Sequence, residues 1–565
     1  MDKAFEMGKT SATGSFHLLI GVAGSTIIMF FGTYIINTLL PVGGVGLYGM
    51  ALIPATMINF FRDWGVNMAM TQQIASLRTA GRDSEIHDVI LSGILFEIIT
   101  GTICSLVCFA LAQPLALILS STNPASAPQL SVYISIMSFS IFAGALFSAA
   151  TAIFTGFERM KLNSYTQILQ AIVKTAFGPI LVIIGFGVLG AVFASMASLV
   201  AGGVVGITLV YFLFFRRLRK CKVGKCDVKL TLKPMLKYGL PLTVSNTVVG
   251  VLPQVFAFSM AAYAGEWMMG NYYSAAYFSV LLTFITIPIA TALFPSFSKI
   301  DPEKEPEVVK TVFVSSTKYA ALLLVPATMI LVTLSTPLIN FLFPQNGLFH
   351  SLLVVDAAPK FPYAPLFLSL SSIVNLLVLI GNISIGPFQS GIGKVRQVMK
   401  QSILSLAVGL PLAFFLVSYL NSIGGATYAV IGGIMGVLIS TLPACLWGLY
   451  WCWRNYKVKV DLRISAKIFL ASAIASGLTY ILIAFLRLPY LFTLVLGFAS
   501  FSVVYLIAAP LVGAINETDI DNFKTMFSSS WLVTAVLNIP LGFMGKICKF
   551  TNSKKVMLDS NRKTL

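Results

Sequence analysis

The 565-residue chain has little charge and almost no histidine: 10% of its residues are Asp, Glu, Lys or Arg, and three are His. A soluble domain carries about 25% charged residues. Seven cysteines are scattered, with no His near them at metal-ligand spacing, so no metal site is expected. Cys104 and Cys108 lie one turn apart in an apolar run and read as ordinary free thiols. There is no Gly-x-x-x-x-Gly-Lys loop, which removes a built-in ATPase. The carboxylates of Asp301, Glu303, Glu305 and Glu307 fall in a polar loop and read as solvated charge, not as an acid–base pair. No cofactor is called for.

What is abundant is apolar length. Hydrophobic residues make up 57% of the chain, and the mean hydropathy is +0.88. Runs of 18 or more apolar residues recur, each long enough to cross about 30 Å of hydrocarbon as a helix. The short alternating segments of a β-barrel are absent from the sequence. The expectation is an all-α polytopic membrane protein with about 14 spans, from 15–40 to 489–512. With the N-terminus in the cytoplasm, 34 of the 38 Lys and Arg fall on the inner side, nine of them in the loop 216–238. Net charge +18 is thereby a topology signal, and nucleic acid is not expected as a partner. Lys360 and Arg487 fall outside, Lys318 snorkels at an inner helix end, and Lys174 stays in the membrane. Both termini are expected in the cytoplasm. The stretch Met526–Gly545, interrupted by Pro540 and followed by lysines, is expected to lie on the inner surface.

The chain repeats itself. "GLYGMA" at Gly46–Ala51 resembles "GNYYSA" at Gly270–Ala275, and "RMKLNSYTQIL" at Arg159–Leu169 resembles "KVRQVMKQSIL" at Lys394–Leu404. Two six-span lobes follow, 1–225 and 226–458. Two extra spans occupy 459–515, and 516–565 is a cytoplasmic tail with an interfacial helix. An even span number relates the lobes by an axis along the membrane normal.

Polar residues inside the spans are the candidate site. Lys174 lies about ten residues into its span, which at 1.5 Å per residue is ~15 Å deep. Gln167 and Gln170 share its helical face. Glu97 lies at a similar depth in the third span. Two readings stay open: a buried Lys174–Glu97 ion pair that ties helices together, or a role in binding substrate or a coupling ion. Asn246, Gly250, Pro253 and Gln254 form a stripe on the seventh span, and Asn375 and Asn382 another on the tenth. These are either interhelical hydrogen-bonding groups or the lining of a cavity.

The segment Leu39–Ala75, with its Gly-Leu-Tyr helix start and Asp63-x-Gly65, resembles the polysaccharide transporter family of the multidrug/oligosaccharidyl-lipid/polysaccharide flippase superfamily. Phe154–Thr175 and Ile287–Ile300 are similar to that family's fourth-to-fifth connection and eighth-helix end. The resemblance implies a V-shaped bundle that opens alternately to the two sides. It implies transport of a polyprenyl-linked sugar across the cytoplasmic membrane, with membrane lipids and glycan-assembly proteins as partners. In members that flip lipid-linked glycans, several cationic cavity residues hold the pyrophosphate; Lys174 is the deep cation here. An ion-coupled drug exporter of the same superfamily, or a membrane-embedded glycan polymerase or glycosyltransferase, are the alternatives. The short outer loops and the want of paired outer carboxylates disfavour the enzyme.

Overall fold

The structure is a computed structural model that describes residues 2–218, 227–345, 359–486, 488–527 and 540–549, with side chains from residue 21 onward except at a few helical positions, Asn246 among them. Cys221 and Cys226 lie outside the described residues, as does most of the proposed surface helix, 528–539.

Helices account for nearly all of the described chain; one isolated bridge, Pro344 to Pro359, is the β-type pairing among the described residues. Ten helices are long and apolar enough to cross a membrane, eleven if one bent pair counts as a span. The chain divides into two compact units, Met1–Tyr277 with Ser402–Thr441, and Phe278–Gln401 with Leu442–Leu565.

The first unit contains α1 (Asp2–Leu39), α2 (Val42–Arg62), α3 (Val66–Thr79), α4 (Asp83–Ala110), α5 (Ala112–Leu119), α6 (Ala127–Gly156), α7 (Met160–Leu181) and α8 (Gly187–Val210). It also contains most of α9 (Val228–Ser298). In lipid the gain from packing comes from close van der Waals approach, so small residues mark the contacts. Gly203 of α8 sits over the Ala143 carbonyl of α6, and Gly206 over Ala150. Gly46 of α2 leaves room for the Glu266 carbonyl, which a Cβ would meet at 1.7 Å.

The Asp63-x-Gly65 motif has a physical reading. Asp63 Oδ1 accepts the Gly65 N–H at 2.9 Å, and Gly65 takes φ 81°, a left-handed conformation that favours glycine. Its Cα also faces the Gly239 backbone, where a Cβ would come within 2.3 Å. This turn ends α2 at Arg62 and starts α3. The residues Val66, Met70, Ile74, Ile86, Ile90, Ile153 and Phe154 form the apolar core around it.

Glycines also break long helices. Gly185 (φ 108°) interrupts the turn joining α7 to α8, and Gly265 (φ 74°) interrupts α9. In the second unit are α10 (Pro306–Thr333), α11 (Ser335–Leu342), α12 (Ala364–Ile373) and α13 (Asn382–Gly391), followed by parts of α14 (Val395–Tyr456), α15 (Leu462–Leu486), α16 (Tyr490–Leu511) and α17 (Glu517–Phe527). Gly424 and Gly425 leave helical conformation inside α14. The segment expected as the tenth span is bent by 52° at Gly381, which stands at φ 84°.

The tail is packed against protein. Ile520, Met544 and Cys548 join a buried core with Ala320, Ala321 and Val325. Lys318, expected to snorkel, instead pairs with Asp519 at 2.5 Å, with only 12% and 7% of the two side chains exposed. An ammonium that far from water gains more from a fixed carboxylate than from reaching for solvent.

Candidate functional site

Lys174 stands on α7 and faces a cavity of about 350 Å³ inside the first unit. The lining comes from α1, α2, α6, α7 and α8 and includes Asn59, Ser140, Ser148, Gln170 and Ser198. Among the described residues no carboxylate lines it. Among the described residues no carboxylate pairs with Lys174. Among the described residues, Lys174 is thus the charged side chain in the cavity wall, with no carboxylate paired to it.

The other polar groups divide by hydrogen-bonding capacity. Thr56 donates to the Leu52 carbonyl, Ser140 to Met137 and Ser198 to Ser195. Their hydroxyl protons are committed to their own helices, which leaves oxygen lone pairs toward the space. Ser195 shares a hydrogen bond with the Tyr48 hydroxyl at 2.7 Å. Asn59 and Ser148 are held differently. Asn59 Oδ1 accepts from Arg62 Nε at 3.0 Å, and Ser148 Oγ accepts from Arg62 Nη2 at 3.3 Å.

The positive-inside count includes Arg62 among the inner-side cations at the end of the second span; in the structure its side chain is buried in the protein, 2% exposed. It forms an ion pair with Glu97, which is fully buried and also accepts from Asn67 Nδ2 at 2.8 Å. The expected proximity of Glu97 to Lys174 is thus corrected: the carboxylate of α4 belongs to Arg62. Arg78 and Arg82, which flank the end of α3, are by contrast exposed. Arg62 looked like a loop residue because it ends an apolar run. The signal that could have revealed it is the tight Asp63–Gly65 turn, which leads straight into α3 with only Asp63, Trp64 and Gly65 between.

Of the other expected site residues, Gln170 lines the cavity with Lys174. Gln167 does not; its amide donates to Asn163 at 2.8 Å. Gln254 lies on α9, half-buried and outside the cavity lining. Asn375 is in the second unit, next to the bend, and donates to the Ser372 carbonyl. The side chain of Asn246 lies outside the described residues. A larger recess of about 580 Å³, lined by Gln72, Gln73, Glu85, Asp88 and Asp227, sits beside Ser76 and Leu77 at the end of α3.

Comparison with known proteins places the fold. In fold, the chain is similar to the lipid II flippase MurJ in an inward closed conformation, at 15% identity and a TM-score of 0.66, over 87% of this chain and 98% of that one. It is similar to an inward-facing multidrug resistance MATE family transporter of the MOP superfamily, at 18% identity and a TM-score of 0.62, over 77% and 95% of the two chains. A MOP superfamily transporter from Pyrococcus furiosus matches at 19% identity and a TM-score of 0.52, over 80% and 96%. No curated protein matches by sequence. The family model described as polysaccharide biosynthesis protein matches residues 11–301, more than half of the sequence. The chain belongs to the polysaccharide biosynthesis protein family.

Proposed function

We propose that the chain is a flippase that moves a polyprenyl-linked oligosaccharide or polysaccharide unit across the cytoplasmic membrane by alternating access. Family membership supports a role in polysaccharide assembly, and the fold is that of transporters in the MOP superfamily. The observation that carries the reading further is Lys174: an ammonium on a helix apolar enough to span a membrane, lining a cavity, with no anion partner among the described residues. A charge in that position is costly without an anion. A lipid-linked phosphate supplies one, and sugar hydroxyls match the acceptor oxygens of Thr56, Ser140 and Ser198.

The glycine interruptions at Gly185, Gly265 and Gly424–Gly425 each divide a run too long for one crossing. Counting each as two crossings and the bent pair as one raises ten helices to fourteen. An even number keeps both termini and the 216–238 loop in the cytoplasm, the side favoured by the basic residues. We also retain the two six-span lobes, 1–225 and 226–458, as the units that move against each other.

An ion-coupled multidrug exporter is the second reading; a cationic cargo or coupling ion entering beside Lys174 would meet like charge in low dielectric, which disfavours it. Reconstitution separates the classes. Vesicles containing the purified chain and a polyprenyl-diphosphate oligosaccharide should expose the glycan on the opposite leaflet without lengthening it. Chain-length growth of the glycan would assign a polymerase instead.

A further inference from the structure

Arg62 cannot reach the cavity as a ligand-binding charge, because Glu97 already neutralises it within the protein. Its other nitrogens nevertheless touch two lining residues, and this decides which way those residues face.

Arginine has donors only. The Asn59 atom that meets Arg62 Nε must therefore be the carbonyl oxygen. The amide nitrogen, with two N–H groups, is turned away from Arg62. Ser148 likewise accepts from Arg62 Nη2, so its own proton remains to be given. Among the described residues neither group has an acceptor: the Asn59 side chain and the Ser148 hydroxyl bond only by accepting from Arg62. Both residues line the same cavity as Lys174.

We propose that Arg62, fixed by Glu97, is a positioning residue that makes Asn59 and Ser148 hydrogen-bond donors toward the Lys174 cavity, building a site for the oxyanion of a lipid-linked phosphate. The inference rests on the flippase reading and assigns its anion subsite. The cavity then holds one charge and two oriented neutral donors, and the second buried cation works from behind the wall. Glu97 supports the same arrangement: without it, Arg62 would be free to swing toward the bound anion, and the orientation of Asn59 would be lost. Asn67 completes the support by holding the other Glu97 oxygen.

The test is binding by the purified full chain in detergent, with inorganic pyrophosphate and a polyprenyl diphosphate as probes, alongside the melting temperature without probe. Asn59→Asp keeps an acceptor for Arg62 and puts an anionic oxygen where the N–H groups were. It should melt at or above the wild-type temperature yet bind both probes about tenfold or more weakly, as loss of a hydrogen bond to a charged group implies. Arg62→Lys keeps a charge opposite Glu97 but lacks the planar fork. It should fold and lose affinity as well. Wild-type affinity in Asn59→Asp would overturn the inference. If Lys174→Met abolishes binding while Asn59→Asp does not, the cavity reading survives and the positioning role falls. If the wild-type chain binds neither probe, the anion subsite is wrong, and the transport reading is decided separately by the vesicle assay.

Discussion

Arg62 and Glu97 form an ion pair whose side chains are 2% and 0% exposed, joining the end of α2 to α4. Asn67 from α3 caps the carboxylate, so three consecutive elements meet at one charge. Removing one member leaves a buried charge unpaired, which costs about 3–5 kcal/mol, whereas replacing both by apolar residues of similar volume is often neutral. Glu97→Leu or Arg62→Leu should therefore lower the melting temperature of the purified protein sharply. The double variant should melt near the wild type. A double variant as unstable as either single one would mean that the pair's hydrogen bonds, not its charges, hold the helices.

The contact of α2 with α9 predicts a contrast between glycines. A Cβ at Gly46 would lie 1.7 Å from the Glu266 carbonyl, a backbone atom that cannot step aside alone. Gly477, exposed on α15, has nothing within 4 Å of such a Cβ. Gly46→Ala should reduce the folded yield severely. Gly477→Ala should stabilise by roughly 0.5–1 kcal/mol through helix propensity. Thermal melts of the two variants check both signs.

The tail offers a third test. Asp519 receives the Lys318 ammonium and the Asn516 N–H at 2.8 Å. Cys548 is packed beneath, 3% exposed. Burial first, then the nearby Glu517 and Asp519 carboxylates, hold its thiol above the ordinary range. The thiolate is the reactive form. Labelling of Cys548 in the purified protein should thus be slower at pH 8 than that of a free cysteine, and should quicken as pH rises past about 8.5. Asp519→Ala should speed it by loosening the tail. Fast labelling of the wild-type thiol at pH 8 would show that the tail is not docked.

Topology is tested by the loop cysteines. Cys221 and Cys226 sit in the nine-charge loop 216–238. A membrane-impermeant thiol reagent applied to intact cells should leave both unlabelled and label them once the membrane is opened. Labelling from outside would reverse the orientation.

Much of the fold was legible in the sequence because it follows from length and hydropathy. Apolar runs of the right length became helices, and Asp63-x-Gly65 became a tight turn between two of them. Lys174 and Gln170 were readable as one face by helical spacing, and they do line one cavity. Pairing across helices was not readable. Counting along the spans puts Glu97 and Lys174 at a similar expected depth, but depth is one coordinate of three. Rotation about the helix axes aims Glu97 at Arg62. Lys318 shows the same limit. Its partner lies about 200 residues away in a tail whose packing no local pattern encodes.

The central claim is that Lys174 serves the transported anion and not the fold. With Glu97 paired to Arg62, Lys174→Met breaks no ion pair among the described residues. Its stability should stay near wild type. The measurement is the rate of transbilayer movement of a polyprenyl-diphosphate oligosaccharide in vesicles holding equal amounts of folded wild-type, Lys174→Met and Lys174→Arg protein. The account predicts near-complete loss in Lys174→Met and partial retention in Lys174→Arg, which keeps the charge. Wild-type rates in Lys174→Met would contradict it.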